Sequence, residues 1–444
     1  GLLSFVRPDE VDEKAIQAFL SCLHYLSADP SEPEAYAELK TRLEEIDRTI
    51  DNPHNYLYYL ATPPLLYGVI PRHLKAEGLN REGDGFRRIV VEKPFGYDLS
   101  SALELNRIYL DAFREEQIYR IDHFLGKETV QNILALRFAN SVFEPLWNRN
   151  YIDYVEITAV ENMGIGTRGG FYDGVGTLRD MVQNHLAQLL AVTAMEPPAA
   201  FDASGFRNEV VKVYQSLTPL TGEDIRHSVV RGQYMASEGR KGYREEEQVP
   251  ALSRTETYLA MRLELNNWRW GGVPFYIRTG KQMPTKVSEI VIHFKPAPYS
   301  LFRCEGGTCP VPNRLVIRIQ PNEGIVLRLG MKKPGEGFEV LPMDMDFSYA
   351  ELGRLPTEDA YARLIEDCIA GDPTLFIRSD AVESGWRFFD PILKYWQDVP
   401  ECPLYGYPAG SWGPLEADSL VARQGASWTN PCKNLTNTHL YCEL

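Results

Sequence analysis

Three short segments of the chain concentrate side chains able to do chemistry. The first is Arg120-Ile121-Asp122-His123-Phe124-Leu125-Gly126-Lys127-Glu128, where an apolar run ends and a helical pattern begins. A histidine and a lysine at a helix start make an anion site, because free backbone N–H groups and the helix dipole add to their charge. A solvated capping turn uses the same residue types. The second segment is a helical stretch carrying Asp180, Asn184 and His185. At about 100° per residue Asp180 and Asn184 share a face, while His185 lies about 140° from Asp180. Both border one pocket only if it wraps the helix. Histidine suits general-base work near neutral pH, although a lone helical histidine is more often a packing residue. The third segment, Glu92-Lys93-Pro94-Phe95-Gly96, puts a lysine at the lip of a buried strand. It reads equally as a ligand contact or as a plain turn.

Gly164-Ile165-Gly166-Thr167-Arg168-Gly169 matches the dinucleotide fingerprint, and we reject the match. The strand before it alternates as antiparallel strands do. Gly170-Phe171-Tyr172-Asp173-Gly174 reads as loop, whereas the fingerprint requires a helix there.

The elements that must position these segments divide the chain in two. Residues 55–61 form an aromatic-rich strand stopped by Pro63-Pro64, and residues 88–92 a short apolar strand buried on both faces. Asp98 caps a helix from Leu99 to about Glu116, and residues 118–121 make a third strand. This rhythm predicts a doubly wound parallel sheet. After a helix over residues 127–140 the pattern changes. Residues 154–160, 258–265, 289–294, 315–320 and 325–329 alternate with period two, the last two joined across Pro321-Asn322-Glu323-Gly324. They predict one big, mainly antiparallel sheet backed by helices, with an amphipathic helix over about 176–195. Residues 402–444 read as irregular. The expected fold is α/β plus α+β, with domains at 1–121 and 122–444.

A formal net charge of −15 argues against nucleic acid or an anionic membrane as partner. An anionic ligand therefore needs a local cluster of Lys, Arg or His. No run of 18 apolar residues occurs, and the first residues read as too short and too soon polar for a signal peptide. The seven cysteines are scattered. Only Cys304 and Cys309 are close, with no histidine near them to complete a zinc site. They imply free thiols in a reducing cytoplasm and no metal. Asn434-Leu435-Thr436 is a glycosylation sequon by pattern only.

RIDHFLGKE (120–128) resembles the RIDHYLGKE motif of glucose-6-phosphate dehydrogenases. The likeness continues in EKPFG (92–96), WNRNYID (147–153), RDMVQNH (179–185), VPFYIRTGK (273–281) and Trp412-Gly413-Pro414, in family order, and is nearest the bacterial members. The resemblance implies oxidation of glucose 6-phosphate at C1 with hydride transfer to NADP, NAD being possible. It implies His185 as general base and Asp122 as its partner, with His123 and Lys127 at the 6-phosphate. Glu161, Asp180, Lys281 and Lys286 hold the sugar, Lys286 toward the phosphate end. Lys93 stands between sugar and cofactor, while Ala61, Thr62 and Tyr67 are the remaining cofactor contacts. Four lysines and His123 would then surround one dianion. The family associates through its large sheet, which implies a homodimer or homotetramer. Residues 287–291 are short of basic groups, so no second, structural NADP is expected.

Two departures stand out. Phe124 replaces the motif's tyrosine, so one hydroxyl is missing from the phosphate end. The family's opening strand, GASGDLA-type loop and helix are not found before Asn55, so the coenzyme domain is expected to be incomplete as written. A glucose–fructose oxidoreductase-type enzyme would explain the EKP turn but not the anion site. A sugar-phosphate binder without catalysis would have no use for both His185 and Asp122.

Overall fold

The computed structural model describes residues 12–50, 54–299, 301–302, 313–335, 337–349, 359–422 and 426–431. Cys304, Cys309 and the sequon at Asn434 lie outside them. The first sheet has three parallel strands in the order β1 (Tyr56–Leu60), β2 (Arg87–Val91) and β3 (Ile118–Arg120). Its centre is dry: Ile89, Val90, Val91 and Ile118 are almost fully buried, as a strand covered on both faces requires. The helix Leu99–Ala112 starts with a capping box between Asp98 and Ser101. It stops four residues before the expected end, where Phe113 turns extended. Two helices, Glu13–Ser21 and Glu34–Ile50, precede the first strand. The first leaves its apolar residues largely exposed, while the second packs Tyr36, Leu39 and Leu43 against the core.

The second sheet has nine strands. These are β4 (Ile152–Val160), β5 (Val229–Met235), β6 (Tyr258–Glu264), β7 (Pro274–Gly280), β8 (Val287–Phe294) and β9 (Arg314–Gln320), then β10 (Gly324–Lys332), β11 (Val340–Ser348) and β12 (Tyr405–Pro408). Their order is β11-β10-β9-β8-β4-β7-β6-β5-β12, antiparallel except for the parallel pairs β4–β7 and β5–β12. The sheet is mainly antiparallel, as expected, with these two parallel pairs making it mixed, and the tail expected to be irregular supplies β12. Edge strand β11 was unread because Pro342 interrupts its alternation, which an edge tolerates. The parallel pair matters for the site. With Val160 opposite Gly280, the carboxyl ends of β4 and β7 emerge side by side.

Residues 170–174, expected as loop, belong to a helix, Gly169–Thr177. Glycine lowers helix propensity by about 1 kcal/mol per residue, yet packing overrides it. A Cβ on Gly169 would sit 1.9 Å from the carbonyl oxygen of Glu247. The expected amphipathic helix over 176–195 is in fact two kinds of helix. Leu178–Leu186 is π-helical, and Ala187–Ala194 continues as α-helix. Its start is set by Gly176 (φ 72°) and by Glu256. Glu256 accepts from Thr177 N through its carbonyl (3.2 Å) and from Leu178 N through its buried carboxyl (3.0 Å).

Candidate active site

The π-helical register changes which side chains meet. Its hydrogen bonds run i→i+5: Ala187 N reaches the Val182 carbonyl, and the Asn184 side-chain amide also donates to the Arg179 carbonyl at 2.7 Å. Residues five apart then stack along one face. This corrects the expected angle of about 140° between Asp180 and His185, which assumed α-helical spacing. The structure brings both to one cleft without the pocket having to wrap the helix.

His185 is buried, and its Nδ1 lies 2.6 Å from Asp122 Oδ1. Asp122 follows β3 by two residues, and the same oxygen accepts the backbone N–H of Phe124 at 3.0 Å. Burial pushes the Asp122 carboxyl up, but His185 and the Phe124 N–H outweigh it and hold it at about 2. Burial pushes His185 down; Asp122 opposes this and Lys93 reinforces it, leaving His185 below the ordinary histidine value. The pair is thus a neutral imidazole on an ionised carboxylate. An ionised carboxylate only accepts, so Nδ1 carries the proton and Nε2 keeps a lone pair.

His123 is half-buried. Its ring meets His185 edge-on at 4.6 Å and stacks on Tyr361 at 5.7 Å and 13°. Burial, then His185, lower it to about 4. The donor atoms of Asp122, His123 and His185 lie within 4.8 Å of one another, a closeness that follows from the hydrogen bond and ring contact just described. Phe124 stacks on His185 at 4.4 Å and 21°, and Lys127 Nζ lies 5.3 Å from the centre of the same ring. Lys127 donates to Gln320 Oε1 at 2.9 Å. Exposed Lys286 makes no hydrogen bond or ion pair among the described residues, yet its charge is felt at Lys127, which burial chiefly lowers.

The remaining lysines come already paired. Lys93 Nζ donates to the Asp180 carbonyl at 2.9 Å and to its Oδ1 at 3.2 Å. Lys281 pairs with Glu161 and reaches Asp180 Oδ2 at 3.5 Å. Glu161 and Lys281 follow β4 and β7, so their meeting is a product of the parallel pairing. Hence Lys93 and Lys281 bring little uncompensated charge. The expected ring of four lysines reduces to Lys127 and Lys286.

Ala61 is exposed at the carboxyl end of β1, and the adjacent Thr62 Oγ1 is buried without a partner among the described residues. Tyr67 is buried, its hydroxyl pushed up to about 12 by burial and by Glu92. In an open α/β sheet this edge is where dinucleotides bind. Sequence reading missed Gln320, Tyr361 and Glu256. Each is a common residue type placed by an element far along the chain, and no local pattern marks it.

The family described as glucose-6-phosphate dehydrogenase, NAD binding domain, matches residues 3–132, and the C-terminal domain family of the same enzyme matches residues 134–429. The chain belongs to the glucose-6-phosphate dehydrogenase family. Curated relatives named glucose-6-phosphate 1-dehydrogenase are similar over nearly all of it. The relative from Aggregatibacter actinomycetemcomitans is 51% identical, covering 96% of this chain and 86% of its own. That from Treponema pallidum (strain Nichols) is 48% identical, covering 98% and 85%. A solved glucose-6-phosphate dehydrogenase in complex with its substrate glucose-6-phosphate superposes with a TM-score of 0.87 at 34% identity, covering 96% of this chain and 87% of the other. A glucose-6-phosphate dehydrogenase is an oxidoreductase acting on a CH–OH group, and the Rossmann-like first sheet and the large mixed second sheet are the family's two parts. No helix among the described residues is long and apolar enough to cross a membrane.

Proposed function

We propose that the cleft oxidises glucose 6-phosphate at C1 to 6-phosphoglucono-1,5-lactone, with NADP as the cofactor. The observation that carries this reading is the buried His185–Asp122 pair, 2.6 Å apart, lying one ring away from Lys127, whose amine is bonded only to a neutral amide. His185 Nε2 takes the proton of the C1 hydroxyl while the C1–H electron pair leaves as hydride, and C1 becomes the lactone carbonyl. NADP, when bound, accepts that hydride. Asp122 holds the ring and stabilises the imidazolium that forms. His123, Lys127 and Lys286 receive the 6-phosphate. Asp180, Glu161 and Lys281 present an acceptor–donor row to the sugar hydroxyls. Lys93, tied to Asp180, stands between sugar and cofactor.

The residues present fit a dinucleotide. Thr62 Oγ1, buried at the end of a parallel strand and without a partner among the described residues, is a hydrogen-bonding group that suits a ligand there. Ala61, Thr62, Tyr67 and Lys93 would hold the cofactor. No metal enters the reading. The boundary at 121/122 is supported by β3 ending at Arg120. The protein works in the cytoplasm, which its scattered cysteines suit.

Assembly as a homodimer or homotetramer is supported by an apolar face on the outer strands. Met331, Leu341, Met343 and Met345 are exposed on β10 and β11, where Met331 is opposite Leu341 and Leu329 opposite Met343. Sedimentation in solution decides it, a single-copy mass refuting the assignment.

The reaction is tested by mixing the protein with NADP or NAD, adding glucose 6-phosphate or glucose, and following absorbance of the reduced nicotinamide. Reduction only with the phosphate ester, and faster with NADP, is the expected result. Tight sugar-phosphate binding with no reduction would remove the enzymatic reading.

A further inference from the structure

Phe124 makes two contacts that no motif assigns to it. Its backbone N–H donates to Asp122 Oδ1 at 3.0 Å, and its ring stacks on His185 at 4.4 Å and 21°. Asp122 Oδ1 is also the oxygen that meets His185 Nδ1. One residue therefore touches both members of the pair, from the backbone on one side and the ring on the other. Phe124, Asp122 and His185 are all at most 4% exposed, so water does not share these contacts.

We infer that Phe124 is a positioning residue for the base: its ring fixes the plane of the His185 imidazole and keeps water from it, setting the pH at which the base is available. The inference rests on His185 acting as the base. An imidazole held only through Nδ1 can still swing about that hydrogen bond, and a ring parallel to it at van der Waals distance removes the freedom. A flat apolar surface over the imidazole also leaves its cationic form without hydration, favouring the neutral form.

Other groups act on His185 as well. Asp122 and Asp180 favour its protonated form and Lys93 opposes it. His123 meets it edge-on, itself stacked on Tyr361. Asp122, Asp180 and Lys93 remain when residue 124 is changed; His123 also meets the Phe124 ring, at 5.0 Å and 60°, so its own titration is followed in the same spectra. Lys127, 5.3 Å from the ring centre, is the charged group that a smaller side chain would bring into closer view of the base.

The test compares Phe124→Leu, which removes the ring, with Phe124→Tyr, which keeps it. Two readouts are used: the pH profile of kcat/KM, and titration of the His185 ring signals by NMR without substrate, assigned by their loss in His185→Asn. Expected for Phe124→Leu is a His185 midpoint raised toward the ordinary value, with kcat lower by roughly ten-fold from lost alignment. Phe124→Tyr should keep both midpoint and kcat. If Phe124→Leu does not fold, as judged by its melting transition, Phe124→Met replaces it with a side chain of similar bulk and no ring. An unchanged midpoint in a folded ringless variant would overturn the inference. So would a shift in Phe124→Tyr as large as in the ringless variant. The NMR titration reads the ring contact even if turnover is absent, so failure of the proposed reaction and failure of this inference give different results.

Discussion

At the base end of the cleft, charge is matched inside the fold. Asp122 answers His185, and Lys93 and Lys281 are paired with Asp180 and Glu161. At the anion end, Lys127 has only a neutral amide within hydrogen-bonding distance, and Lys286 has no bonded partner among the described residues. One end is built to hold an internal pKa steady; at the other, Glu323 and Asp359 act on Lys127 without bonding it, so its donors are left for an arriving anion. In a protein of net charge −15 the second task cannot rest on the overall field, and two local cations perform it. Counting lysines near a site therefore overstates its positive charge unless their partners are counted too.

The largest expected effect separates the ends by mechanism. His185→Asn should lower kcat by roughly 1,000-fold while leaving the KM for glucose 6-phosphate within about two-fold, because a base contributes to the transition state rather than to binding. An equal loss in KM would show that the ends are not independent. Lys127→Met should do the reverse. Losing a charge-assisted contact to phosphate raises KM by roughly 10- to 100-fold with kcat little altered, and steady-state kinetics on the two variants reads both.

Smaller effects follow from pH. His123 is held at about 4 and His185 below its ordinary value, both first by burial. Depressed folded values mean that the unfolded chain binds these protons more tightly. Their contribution to stability is thus complete above about pH 6.5 and is lost as pH falls toward 4. The melting temperature should drop across that window, and less steeply in His123→Asn. The acid limb of kcat/KM should likewise lie below pH 6.5. A limb above it would mean that Asp122 governs His185 more than burial does.

What the sequence disclosed about this site was chemistry at the ends of strands. Asp122, His123, Lys127 and Lys93 were legible because a buried strand, a turn and a helix start follow one another locally. The pairing of Glu161 with Lys281 was not, since it depends on β4 and β7 lying parallel although 120 residues separate the two side chains. Nor was the role of Glu256, whose carboxyl caps the π-helical segment from 78 residues away. The glycine-rich helix at Gly169–Thr177 was misread because propensity is local and the Glu247 carbonyl pressing on Gly169 is not.

The π-helical stretch Leu178–Leu186 has a consequence for how such a protein can change. Its turn holds one residue more than an α-helical turn, so a stretch of this kind can arise in a lineage by a single insertion. Removing one residue between Asp180 and His185 would let ordinary α-helical turns close and leave the two four apart, still on one face, whereas a further insertion would turn them away from each other. The stretch should therefore bear a one-residue deletion there better than a one-residue insertion.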